Sequence, residues 1–247
     1  MRATSEVRRF RLKTLFVSGV LAVAMAVPAS AATVTVFTET FDAALGGNWS
    51  GTTTVTGVPA GYTALGFNGG MLRNVTVGPI VSTVLTLNGL AAHDSVDINF
   101  LLAIIDSWDG VGGNPGPDTF VVRVDGVDRF SQVFAIQSGS DGPGAPPDLG
   151  AVQNRGFNPS FSDRGFDLGA VGSLQFAHTG SSLTIEFFTL AGGWQGGEDE
   201  SWGLDNLTVD LITRQDAPIP EPATLSLLGL GLLGTAYRAR KNRNTNA

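Results

Sequence analysis

The stretch Ser95–Ile105 constrains this chain most. Val96, Ile98, Phe100, Leu102 and Ile104 occupy alternate positions, opposite Asp97 and Asn99. Successive side chains of a β-strand point to opposite faces, so a period of two places those five on one face. Leu101–Ile105 is apolar on both faces, which suits the centre of a covered sheet. Similar short runs recur at Thr33–Phe41, Thr52–Val58, Met71–Val77, Ile80–Leu87, Thr119–Val124, Val127–Ile136, Leu174–Ala177, Ser182–Leu190 and Leu204–Ile212. Gly, Pro, Asn and Asp separate them, and Asp125-Gly126 reads as a hairpin turn. Gln153–Gly172 is poorly patterned, and helical periodicity is absent between residues 32 and 214. The expectation is an all-β domain, an antiparallel β-sandwich whose first strand, near Glu39–Phe41, pairs with its last, near Leu204–Leu207.

Two jelly-roll variants fit the length, one concanavalin-like and one galactose-binding-like. The layout resembles extracellular carbohydrate-binding, MAM-like and laminin-G-like sandwiches. The chain has no cysteine, so the core holds the fold without disulfides. Between Ala32 and Pro222 six arginines and no lysine face twenty-one acidic residues, a net charge of −15 (six minus twenty-one). Such a surface repels nucleic acid and anionic lipid and attracts divalent cations.

Both ends are set apart. Arg8, Arg9, Arg11 and Lys13 precede an apolar run, Thr14–Val27, and then Pro28-Ala29-Ser30-Ala31. This is the order of a secretory signal peptide over residues 1–31, cleaved after Ala31. At the other end, residues 215–222 form a linker in which Pro220 and Pro222 hold Glu221 on an extended, exposed backbone. Residues 223–237 follow as a Leu/Gly-rich run, shorter than the ~20 residues that cross a bilayer comfortably. Residues 238–247 then carry Arg238, Arg240, Lys241 and Arg243, which keep that end cytoplasmic under the positive-inside rule.

That order resembles the PEP-CTERM sorting signal. The resemblance implies export by a Gram-negative bacterium, a short transmembrane helix over 223–237, and transient anchoring in the inner membrane. It also implies processing by a membrane-embedded exosortase, and a destination at the cell surface or in an extracellular matrix alongside exopolysaccharide.

The domain between the ends offers two candidate sites. The Asp106–Asp118 loop brings together Asp106, Asp109, Asn114 and Asp118 with glycines that let the backbone fold around an ion, an oxygen set suited to Ca²⁺. An ordinary solvated Asp/Gly turn is the alternative. Glu39, Asp42 and Asp205 form a second oxygen cluster if the terminal strands pair. The other site is Gly192–Trp202, where Trp194 lies between glycine pairs and is expected to stack on a sugar, with Trp108 as a second ligand candidate; Trp202, beside a strand, is expected in the core.

His93 and His178 stand apart in sequence, and no nucleophile elbow accompanies them. Glu186, among Ile185, Phe187 and Phe188, is expected on the outer face of a strand, and Glu198 and Glu200 sit in a loop. Catalytic residues are not assigned. The expectation is an exported surface or matrix protein that binds carbohydrate, exopolysaccharide above all, or serves a structural role, with Ca²⁺ as its metal. The alternative is a glycan-degrading enzyme of concanavalin-like fold, which needs two facing carboxylates in a groove.

Overall fold

The computed structural model describes residues 31–52, 54–77, 82–190, 192–214 and 223–245. The expected signal peptide, apart from its last residue Ala31, and the motif Pro220-Glu221-Pro222 lie outside them. The chain divides into two units, residues 30–215 and the two ends.

The larger unit contains strands β1 (Ala31–Glu39), β2 (Trp49–Gly51), β3 (Thr54–Gly57), β4 (Gly70–Asn74), β5 (Thr83–Asn88), β6 (Ser95–Asp106), β7 (Thr119–Val124), β8 (Val127–Val133), β9 (Asp163–Asp167), β10 (Gln175–Ala177), β11 (Ser182–Thr189) and β12 (Glu200–Arg214). One helical turn, α1 (Ala60–Thr63), interrupts them. The strands form two antiparallel sheets, as the alternation predicts.

In the seven-stranded sheet, β6 and β12 pair along most of their length as a spine. Two short strands line the outer side of β6, β10 along its first half and β9 along its second. Strands β1 and β4 line β12 in the same way, and β3 closes the edge beyond β4. Glu39 pairs with Leu207, so the terminal strands meet as expected. The five-stranded sheet runs β2-β5-β11-β7-β8.

The alternating residues read from sequence build the core between the sheets. Val96, Ile98, Phe100, Leu102 and Ile104 meet Leu85, Leu87, Phe120, Val122, Ile185 and Phe187 there. On β12 the core residues Leu204 and Leu207 lie three apart, which strict alternation forbids. A register shift between Asp205 and Thr208, with Asn206 at φ +52°, returns Leu207, Val209 and Leu211 to the inner face.

The doubly apolar end of β6 is covered on its other side by the α1 segment. Tyr62 and Phe67 pack on Met71, Ala103 and Ile105, and the Tyr62 hydroxyl donates to the carbonyls of Ile104 and Arg164, each at 3.1 Å. Strand β9 was hidden in the poorly patterned stretch because it buries charge. Arg164 spans Asp148 and Asp141, both at 2.7 Å, and donates to the Ala135 carbonyl at 3.0 Å. These contacts satisfy polar groups that sequence periodicity reads as surface.

The smaller unit is described only as α2 (Ala223–Thr245). Among the described residues no helix is long and apolar enough to cross a membrane. The apolar part ends at Tyr237, and fifteen residues at ~1.5 Å each reach ~22 Å against a ~30 Å hydrocarbon core. The helix begins where the sequence places it but runs past Tyr237 through the basic residues to Thr245, and it does not by its dimensions establish a crossing.

Candidate functional site

The loops between β6 and β7 and between β11 and β12 meet at one end of the sandwich, and their tryptophans turn inward. Trp108 is 0% exposed and Trp194 is 9% exposed. Their rings meet edge to face at 5.3 Å. The Trp108 indole N–H donates to the Ser201 carbonyl at 2.8 Å, and that of Trp194 to the Thr76 carbonyl at 2.9 Å. Neither ring presents a face for sugar stacking, which corrects the expectation for both. Glycines flanking Trp194 were read as exposure, but they let the backbone dip so that the ring reaches the core. Trp202 is in the core, as expected, and Trp49 joins it.

The expected Asp106, Asp109, Asn114 and Asp118 set also divides. Asp106, at φ +70°, is fully buried beside Arg73, whose Nη2 is 3.5 Å away. It belongs to a separate acidic pair with Asp163, which accepts backbone N–H bonds from Asp106 at 3.1 Å and Arg155 at 2.6 Å. Burial pushes the Asp106 carboxyl up to about 7, with the Asp163 charge adding to it and Arg73 opposing. Asn114 stays exposed in the loop.

Asp109 and Asp118 remain together and are joined by Glu200, the first residue of β12. One oxygen from each of the three lies within 4.8 Å of the others. Asp109 is 4% exposed, and Asp118 and Glu200 are 0% exposed. Surrounding donors fix each group from one side. The backbone N–H of Asp109 donates to Asp118 Oδ2 at 2.5 Å. Those of Gln195 and Gly196 donate to Glu200 Oε2 at 2.5 and 3.4 Å. The Ser138 hydroxyl donates to Asp109 Oδ1. Asp118 Oδ1 and Glu200 Oε1 are enclosed and have no hydrogen-bond partner.

Burial, with the neighbouring carboxylates adding to it, pushes Asp118 up to about 6 and Glu200 up to about 8, against the backbone bonds that favour their charged forms and, for Asp118, a side-chain hydrogen bond with Glu200. Sequence places Glu200 in a loop and gives no reason to join it to the Asp106–Asp118 stretch. Its only sequence signal is its place directly before the apolar Trp202 and Leu204 of a strand.

The second oxygen cluster does not assemble in the same way. Asp205 Oδ2 accepts from the Asn68 N–H at 2.9 Å and Asp42 Oδ1 from the Gly70 N–H at 3.0 Å, so both carboxylates hold the Gly66–Gly70 turn. Burial pushes Asp205 up to about 6, with Asp42 adding to it.

Glu186 lies on the outer face, as expected, between core residues Ile185 and Phe187. The two histidines, separate in sequence, meet in the fold. His93 Nε2 is 2.7 Å from His178 Nδ1, and His178 Nε2 is 3.2 Å from Asp125 in the β7–β8 turn.

No curated protein sequence matches this chain. Among solved structures, the CBM22-1 xylan-binding domain of Paenibacillus barcinonensis Xyn10C is similar at 11% identity and TM-score 0.37, over 74% of this chain and 97% of that one. A family 35 carbohydrate-binding module from an environmental isolate is similar at 15% identity and TM-score 0.31, over 74% and 99%. The mannan-recognising module TmCBM27 is similar at 11% identity and TM-score 0.33, over 73% and 98%. At these TM-scores the likenesses carry no inference about this chain. The PEP-CTERM protein-sorting motif matches residues 218–241, the stretch that the tail's order singled out. The chain therefore carries a PEP-CTERM sorting signal, and it is exported towards the cell surface.

Proposed function

We propose that this is a non-catalytic polysaccharide-binding module of the cell surface or extracellular matrix, delivered there by exosortase processing of its tail. The observation that carries the reading is the sorting motif at residues 218–241, immediately after a compact, cysteine-free β-sandwich. On the outer face of the five-stranded sheet, Thr86 pairs with Thr184, and Glu186 pairs with Arg123. All four side chains are half-exposed. Together they offer hydroxyl, carboxylate and guanidinium partners to sugar hydroxyls. The clustered carboxylates, Asp109, Asp118 and Glu200 and the pair Asp106 and Asp163, lie beneath the surface, where they cannot flank a glycosidic bond.

The test is binding of the exported protein to exopolysaccharide purified from the same cells. Saturable binding, weakened at least fivefold by Glu186→Ala and without release of reducing ends, is the expected result. No binding at any accessible concentration refutes recognition, and reducing-end release shows an enzyme.

A further inference from the structure

We propose that Asp109, Asp118 and Glu200 together hold one hard divalent cation, Ca²⁺ outside the cell. The ion joins the β6–β7 loop to the start of β12.

Acidic residues often gather on a surface without an ion, so clustering alone decides nothing. These three are buried, and the enclosed oxygens Asp118 Oδ1 and Glu200 Oε1 have no donor. An unpartnered acceptor in the interior costs several times what a hydrogen bond returns, and an ionised one costs far more. Three carboxylates this close also repel one another. Among the described residues no arginine, lysine or histidine forms an ion pair with any of them, although Asp106, only three residues from Asp109, has Arg73. The remaining donors are spent holding the carboxylates in place, and without an ion the enclosed oxygens have only a proton shared between Asp118 and Glu200, which a cation would replace. A cation is the partner that such an arrangement lacks.

The donor set selects the class of ion. All three side chains offer oxygen, with neither thiolate nor imidazole among them, which favours Ca²⁺ or Mg²⁺ over zinc or copper. Oxygens bound to Ca²⁺ at about 2.3–2.6 Å lie up to about 5 Å apart across the ion, and the three here lie within 4.8 Å. An exported chain also meets Ca²⁺ at concentrations at which even modest sites fill.

The experiment uses the full-length chain in mild detergent, stripped by a chelator and exchanged into chelator-free buffer. Calcium chloride is titrated in a calorimeter, and thermal unfolding is followed with and without it. The expected result is one Ca²⁺ bound per chain and a higher Tm. Glu200→Gln and Asp118→Asn should each weaken affinity at least tenfold, while Asp42→Asn leaves it unchanged. If Glu200→Gln does not fold, Asp109→Asn, which alters a carboxylate held by a single side-chain donor, carries the same comparison. Absence of both heat and a Tm shift in the wild-type chain overturns the proposal. So does Ca²⁺ binding that survives the cluster substitutions and is lost in Asp42→Asn. The readout is metal binding alone, so it fails or succeeds independently of polysaccharide recognition.

Discussion

At Gly193 the backbone has no room for a β-carbon. One placed there would lie 2.4 Å from Gly116 Cα and 3.0 Å from Asp118 Oδ1. The β6–β7 and β11–β12 loops therefore touch backbone to backbone beside the carboxylate trio. Gly193→Ala should force them apart and destabilise the protein by about 1–3 kcal/mol. A urea midpoint indistinguishable from wild type would show that the loops yield more easily than this packing implies. Gly196 serves a different close contact, with the segment after β4, at φ +69° with the Thr76 carbonyl 2.2 Å from where its β-carbon would be. Residues of this kind were visible in sequence only as glycine. Whether a glycine frees a loop or lets it pack tightly depends on what lies across from it, and that separated the expected exposure of Trp194 from its burial.

Elements were more legible than residues. Strands with a continuous apolar core face, such as β6, β7 and β11, appear where the apolar pattern places them. Strand β9 did not, because its Asp163 and Arg164 are buried through specific hydrogen bonds that a hydrophobic pattern cannot register. The C-terminal helix shows the reverse case. Its sequence order identifies it, and its described leucines from Leu227 to Leu233 are 59–69% exposed. Ahead of the helix, the sorting motif has Glu221 between Pro220 and Pro222 in sequence. Glu221→Ala should block tail removal, so the exported protein keeps the mass of its full tail. A mass matching the processed wild type would show that the carboxylate is not what the processing enzyme reads.

For the whole molecule, the buried carboxylates set a pH dependence. Burial raises Asp106 to about 7 and Asp205 to about 6, while unfolded aspartate titrates near ~3.9. The folded chain thus binds these protons more tightly than the unfolded chain does. Their favourable contribution is present at low pH and is lost as pH rises through the folded values. With chelator present, stability should fall between pH 5 and pH 8, by a Tm change on the order of 5 °C. The strongly acidic surface acts in the same direction, since protonation relieves its self-repulsion. A Tm that is flat or rises over that interval in differential scanning calorimetry contradicts this account.

Local pattern and terminal composition were enough to establish an all-β, disulfide-free domain, the pairing of its end strands and its export signal. Each of these depends on neighbours in the chain or on an alternation that any sheet must respect. The site was not accessible in that way. Asp109 and Asp118 come from the β6–β7 loop and Glu200 from the start of β12, more than eighty positions on, and their meaning lies in shared burial and in two enclosed oxygens. His93 and His178 likewise became neighbours only through the pairing of β10 with β6, with Ala177 opposite Ser95. Desolvation and mutual distance are properties of the packed chain, so tertiary structure alone could separate an acidic turn in water from three carboxylates facing one another in the interior.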